Sequence, residues 1–286
     1  MDKRTQGWLS GFIGMVVFSG SLPATRIAVQ ELDPMFLTGV RAVIAGLAAV
    51  VLLLVARARL PAASDMMALL TVSVGVVFGF PLFTALALQS MPSTQAMIFI
   101  GLLPAVTALA GAWLGGERPR RAFWACSLAG SVIVAGYALV GGGPTGWAGP
   151  VLMLIAIGVC GLGYASGAIL SRRLGGWQVV SWALVISLPV SLVLAVSHMP
   201  IEPVVLSLPG WLSLGYVSFF SMLIGFVFWY RGLAYGGIAA VGQLQLLQPF
   251  FGLAIAATLL HEPVGWPLLV ASLGVIACVA GAKRYA

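Results

Sequence analysis

The chain has 286 residues, of which 61% are hydrophobic and only 7% charged, with a mean hydropathy of +1.09. A soluble domain carries about 25% charged residues, so 7 acidic and 14 basic side chains are too few to wet a globular surface of this length; a soluble enzyme, a disordered chain and a collagen are excluded, and a polytopic membrane protein remains. The net charge of +7 is no nucleic-acid signature, because the basic residues sit in short pairs at the ends of apolar runs and not on one face. A helix needs about 20 apolar residues to cross a bilayer. Ten such runs follow one another, at 7–28, 34–56, 65–89, 92–115, 121–140, 147–170, 177–198, 208–235, 238–260 and 264–282. Pro, Gly or charge marks most joins, as in Leu32-Asp33-Pro34, Arg59-Leu60-Pro61, Glu117-Arg118-Pro119, Gly143-Pro144 and Gly175-Gly176; Ser90-Met91-Pro92 and Tyr235-Gly236-Gly237 are tight. The runs are continuous and do not alternate, which excludes a strand barrel. The first is too long for a cleavable signal and has no polar cleavage region after it. Cys126, Cys160 and Cys278 fall inside apolar runs with no metal spacing, as small buried hydrophobes do.

Orientation follows from the basic residues of short loops. With the N-terminus in the cytoplasm, the inner loops and tails hold Lys3, Arg4, Arg57, Arg59, Arg118, Arg120, Arg121, Arg172, Arg173, Lys283 and Arg284, and the outer loops hold Glu31, Asp33, Glu202 and Glu262 but no base. Both termini are then cytoplasmic. Arg26, Arg41 and Arg231 lie within runs. Arg231 snorkels to the inner end of span 8. Arg41, about two turns into span 2, either pairs with Glu31 or Asp33 or meets a substrate carboxylate.

The segment Phe83 to Glu117 lies on Phe228 to Glu262 without a gap, with Pro104 on Pro249 and Glu117 on Glu262. The halves are 1–140 and 145–286, five spans each. An odd number of spans per copy forces opposite orientations, and inverted repeats mark secondary transporters with a site near the midplane.

Through Phe18-Ser19-Gly20, Asp33-Pro34 to Arg41-Ala42, Glu117-Arg118-Pro119 and Glu262-Pro263, the chain resembles the drug/metabolite transporter superfamily, EamA type, over nearly its whole length. Within it the chain is most similar to bacterial YddG-type exporters of aromatic and other neutral amino acids. The resemblance implies an all-α protein of ten transmembrane helices as two inverted five-helix repeats. Spans 1, 3, 4, 6, 8 and 9 would surround a central cavity, backed by 2, 5, 7 and 10. Span 7 departs from its partner: nothing like Arg41 appears there, and Trp182 stands nearby.

Candidate transport residues are polar or broken positions at membrane depth. Pro104 and Pro249 are the repeat-related pair of helix breaks, each a gate or a static kink. Gly75/Gly79, Gly111/Gly115, Gly163/Gly167 and Gly232/Gly236 are spaced for close helix packing, or for sliding as bundles rock. Gln243, Gln245 and Gln248 precede Pro249, and unpaired amides in lipid cost several kcal/mol, roughly. On an α-helix Gln245 and Gln248 share a face and Gln243 points away. The repeat sets Gln243 beside Ile98, near Gln95 and Phe99, so Gln95, Phe99 and Gln243 are expected to line the cavity, with Gln245 and Gln248 bonding either between helices or to substrate. Phe18, Phe78, Phe83, Tyr164 and Trp229 supply aromatic walls, or pack the core. Trp8, Trp124, Trp147, Trp177, Trp211 and Trp266 lie near span ends, where interfacial belts form.

No Asp, Glu or His is expected at mid-membrane, and no P-loop or hydrolytic motif occurs. The expectation is a multi-pass carrier of the bacterial inner membrane, working by alternating access as a uniporter without a cofactor. Its partners are a small-molecule substrate and the lipid bilayer, not nucleic acid, and it acts as a monomer or weak oligomer. An exporter of purines, drugs or sugars, a proton-coupled antiporter, a channel and an intramembrane enzyme are the rivals.

Overall fold

In a hydrocarbon surround each backbone N–H and C=O needs a partner within its own segment, and runs of Leu, Val, Ala and Ile meet that demand as helices. The computed structural model describes residues 2–140, 146–201, 205–259 and 265–285; these are helical, with no strand among them. Gly141 to Pro144, Glu202, His261 and Glu262 lie outside the described residues.

Each apolar run carries one helical rod: α1 (Lys3–Ser19 and Ser21–Glu31), α2 (Pro34–Val55), α3 (Ala63–Asp65, Met66–Val72, Ser73–Gly79 and Phe80–Ser90), α4 (Ser93–Ile100 and Leu103–Gly115), α5 (Arg121–Val140), α6 (Ala148–Leu174), α7 (Gly176–Ser197), α8 (Leu208–Gly215, Tyr216–Ile224 and Gly225–Gly236), α9 (Ile238–Gly242, Gln243–Leu247 and Gln248–Leu259) and α10 (Trp266–Tyr285). Among the described residues, six of these rods, α1, α2, α3, α6, α7 and α8, are long and apolar enough to cross a membrane. The caps were written in the joins. Asp33 accepts hydrogen bonds from Met35 N (2.8 Å) and Phe36 N (3.0 Å) ahead of Pro34, which supplies the fixed φ of a first helical residue. Gly175 (φ 87°) and Gly237 (φ 93°) make the tight joins after α6 and α8, where a side chain would be strained.

Lipid tails are as apolar as leucine, so these helices associate through close packing and not through burial from water. Small residues set the seams. On the α1–α8 seam a Cβ on Gly232 would stand 2.6 Å from Gly11 Cα, and one on Gly7 2.6 Å from Gly236 N; on the α3–α6 seam Gly75 faces Gly163. Gly111 packs on Ile238, and Gly167 under the Tyr230 ring. The four glycine pairs of the sequence are therefore packing surfaces. Elsewhere α2 lies along α7, α5 along α10, α4 along α6 and α1 along α9. Leu54, Val55, Trp113, Val193 and Trp266 are each about two-thirds exposed or more and turn outward to the lipid. Trp147 and Trp211 are also exposed, as belt residues require.

Among the described residues α1 is interrupted at Gly20, and four further rods are irregular. α3 and α8 each contain a π-helical stretch, Ser73–Gly79 and Tyr216–Ile224, whose last residues are related by the offset of 145 that carries Glu117 onto Glu262. α4 breaks at Gly101-Leu102, ahead of Pro104, and α9 tightens to a 3-10 helix over Gln243–Leu247, ahead of Pro249. The same offset carries the α4 break onto the last two residues of the 3-10 stretch.

Candidate functional site

The π-helical stretches of α3 and α8 meet at mid-rod around a small cavity. Its free volume is about 20 Å³, room for one water. Phe18, Ser21 and Leu22 reach it from α1, Arg41 from α2, Phe80 and Pro81 from α3, Leu103 from α4, Tyr164 from α6, Ser221 and Phe226 from α8, and Gln248 from α9. All six rods that the resemblance places around a cavity contribute. So does α2, which the resemblance treats as backing.

The rings form one cluster. Phe18 and Phe226 are 4.9 Å apart between centroids, Tyr164 and Phe226 5.9 Å. Trp229 stands behind them, 6.1 Å from Phe18 and 5.6 Å from Tyr164; it is fully buried and its Nε1 has no hydrogen-bond partner. Two amides join this cluster. Gln248 Nε2 donates to the Phe18 carbonyl at 3.2 Å, and Gln245 Nε2 donates to the Tyr164 hydroxyl at 3.1 Å; the Oε1 atoms of both find no partner.

Gln243 goes elsewhere. It is buried, neither amide atom has a partner, and it faces a separate crevice with Pro104, Ala105, Cys126, Ser127 and Cys278 between α4, α5, α9 and α10. The 3-10 winding explains the division. At three residues per turn Gln245 and Gln248 are eclipsed, and Gln243 lies about a third of a turn off that line. Pro104 also faces that crevice. Pro249 sits in the first turn of Gln248–Leu259. Phe78 and Phe83 are half-buried on α3, Gln95 half-buried and Phe99 buried on α4; none of the four is among the residues lining the central cavity. Ser21 and Ser221 line the cavity with no sequence signal pointing to them. A serine in an apolar run carries too weak a signal, and the π-helix that turns Ser221 inward has no residue signature.

Arg41 pairs with neither acid expected for it. Glu31 accepts from Ser207 N at 2.8 Å and from the Ser207 hydroxyl at 2.5 Å, and Asp33 is spent on the α2 cap. At 4% exposure, Arg41 Nη2 meets the Val217 carbonyl at 3.2 Å and Ser221 Oγ at 3.5 Å, and its Nε has no partner. Arg26 bonds the Leu88 carbonyl, and exposed Arg231 reaches Gln6 Oε1 at 3.5 Å.

One end of the molecule is held by ionic contacts. Glu117, after α4, accepts from the amides of Ile238 (3.0 Å) and Ala239 (2.9 Å) at the start of α9 and from Arg172 at 3.2 Å. Asp65 is buried at the start of α3 and pairs with Arg173 of α6, in the wall of an open cleft of about 440 Å³. A carboxylate on two free helix amides is the arrangement a helix N-terminus favours.

The sequence profile of the EamA-like transporter family matches residues 5–142 and 147–282. The chain is 60% identical over 286 residues, all of both chains, to the "Uncharacterized transporter YdeK" of Bacillus subtilis (strain 168). A solved crystal structure superposes with a TM-score of 0.74 over 98% of this chain and 97% of its own, at 21% identity; that likeness is one of fold alone. The relative's name carries no substrate, so the likeness to YddG-type exporters bears only on the proposal that follows.

Proposed function

Because the chain belongs to the EamA-like transporter family, we propose that it is a ten-span carrier that exports aromatic and other neutral amino acids across the bacterial inner membrane by alternating access, with both termini in the cytoplasm. Its family makes the protein a multi-pass membrane transporter. The observation that carries the substrate class is the central cavity. Rings from α1, α6 and α8 stand beside an amide of α9 whose oxygen is free, a surround suited to an apolar or aromatic side chain with a polar head.

Two inverted repeats, 1–140 and 145–286, account for the paired π-helices and the paired breaks at one offset. They also account for the packing, since exchanging α1–α5 with α6–α10 turns the α1–α8 seam into the α6–α3 seam and leaves α2–α7 and α5–α10 unchanged. The cavity holds one water-sized body and no amino acid, so transport requires the two halves to rock apart on each side in turn. Glu117, Asp65, Arg172 and Arg173 then close the cytoplasmic side.

The test is uptake of labelled amino acids, purines and sugars by proteoliposomes. Saturable flux of aromatic amino acids is expected. Flux confined to purines, sugars or drugs would move the substrate to the alternative reading, and non-saturating flux would make the protein a channel. A cysteine at Pro144 is expected to react with an impermeant thiol reagent from outside intact cells; labelling only after lysis would overturn the orientation.

A further inference from the structure

Among the described residues, Arg41 is the one ionised side chain in the cavity wall. A guanidinium offers five N–H donors and stays charged. A charge so deeply buried is stable only if it is paired, wet or facing a ligand. Among the described residues the ion pairs are Arg172–Glu117 and Arg173–Asp65, and Arg41 is in neither. Its recorded acceptors, the Val217 carbonyl and Ser221 Oγ, engage one terminal nitrogen only. The carbonyl belongs to the π-helical stretch of α8, and Ser221 Oγ already takes the Ser21 hydroxyl at 2.8 Å.

We propose that Arg41 binds the carboxylate of the transported solute, so that the carrier selects carboxylate-bearing small molecules, amino acids first, over purines, sugars and amines. The proposal rests on the reading that the transport path runs through this cavity. A planar guanidinium fork fits a carboxylate with two parallel hydrogen bonds, and one positive charge balances one negative charge. A doubly charged phosphate ester would need a second cation, which the described lining lacks. An ammonium group held at the other end would find Gln248 Oε1, which has no partner, and the faces of Phe18 and Phe226. α2 thereby enters the site as the element that sets solute charge.

The test uses full-length protein in proteoliposomes, with labelled phenylalanine and unlabelled competitors that keep the ring: phenylpropionate, phenylalaninamide and phenethylamine. Phenylalanine and phenylpropionate are expected to compete, and the amide and amine at least about tenfold less well, as the loss of a charge-assisted pair implies. Arg41→Gln should cut phenylalanine flux about tenfold or more while the amide crosses at least as well as through the wild type, and Arg41→Lys should retain part of the phenylalanine flux. Equal competition by acid and amide, or wild-type phenylalanine flux through Arg41→Gln, would overturn the role of Arg41 and leave the amino acid carrier standing. Flux of sugars or purines with none of any carboxylate would overturn both. Should Arg41→Gln fail to fold, the wild-type competition series decides alone.

Discussion

Gln243 and Gln248 lie on one rod and are expected to respond to mutation in opposite ways. Both are buried, but Gln248 reaches the central cavity and bonds the Phe18 carbonyl, whereas Gln243 leaves two amide atoms unpartnered in the crevice beside Cys126 and Cys278. A buried polar group without partners costs about 1–3 kcal/mol. Gln243→Met is therefore expected to raise thermal stability by about 1 kcal/mol and leave flux unchanged, while Gln248→Leu should lower flux about tenfold, the worth of roughly one strong polar contact. Melting curves in detergent and initial rates in proteoliposomes measure both. A fall in flux for Gln243→Met equal to that for Gln248→Leu would return Gln243 to the path, where the α-helical reading of its sequence sets it.

At the scale of the element, Glu117 links three rods. Its carboxylate receives the first two amides of α9 and the guanidinium of Arg172 on α6, and Glu117 itself follows α4. An anion at a helix N-terminus contributes about 1 kcal/mol, and a gate held by such a contact shifts roughly fivefold when it is lost. Glu117→Ala should loosen the α4–α9 seam at its Glu117 end. The measurement is the rate at which a thiol reagent labels a cysteine placed at Ala239, which is 5% exposed, in a background without the three native cysteines. A rise of several-fold is expected; an unchanged rate would mean that the seam is held by packing alone, through Gly111 and Ile238.

For the whole molecule, the expectation is passive coupling. Among the described residues the central cavity wall carries an arginine, an amide, hydroxyls and rings but no carboxylate or histidine, and an amide does not titrate in the physiological range. An imposed pH step across proteoliposomes should leave initial rates unchanged, whereas uphill accumulation abolished by a protonophore would point to a coupling acid, with Asp65 against Arg173 the first to test. Much of this architecture was legible in the chain. Rod positions followed from the length of apolar runs, the joins from Asp33-Pro34 and Gly175-Gly176, and the mid-rod place of Phe18 and Tyr164 from rings at mid-run. The inward face of α9 was not legible, because a change from 100° to 120° per residue over Gln243–Leu247 depends on packing and has no sequence mark. Arg41 was visible as a buried charge. Its freedom from Glu31 became plain only once Ser207 stood opposite that acid.

The π-helical stretches of α3 and α8 amount to dislocations in an otherwise regular lattice of hydrogen bonds: each stores surplus chain in a widened turn. Removing one residue from an ordinary rod rotates everything beyond it by about 100° and buries the wrong face. Removing one from Tyr216–Ile224 has a local remedy, since the widened turn can relax to α-helix and keep Gly225–Gly236 seated on α1. Deletion of Phe219 or Phe220, both exposed, should then yield folded protein at near wild-type levels with Val217 and Ser221 displaced from Arg41. Deletion of Leu212 in the regular turn before it should abolish folding. Equal loss of folded protein in both would show that the widened turn is held too tightly by its neighbours to act as slack.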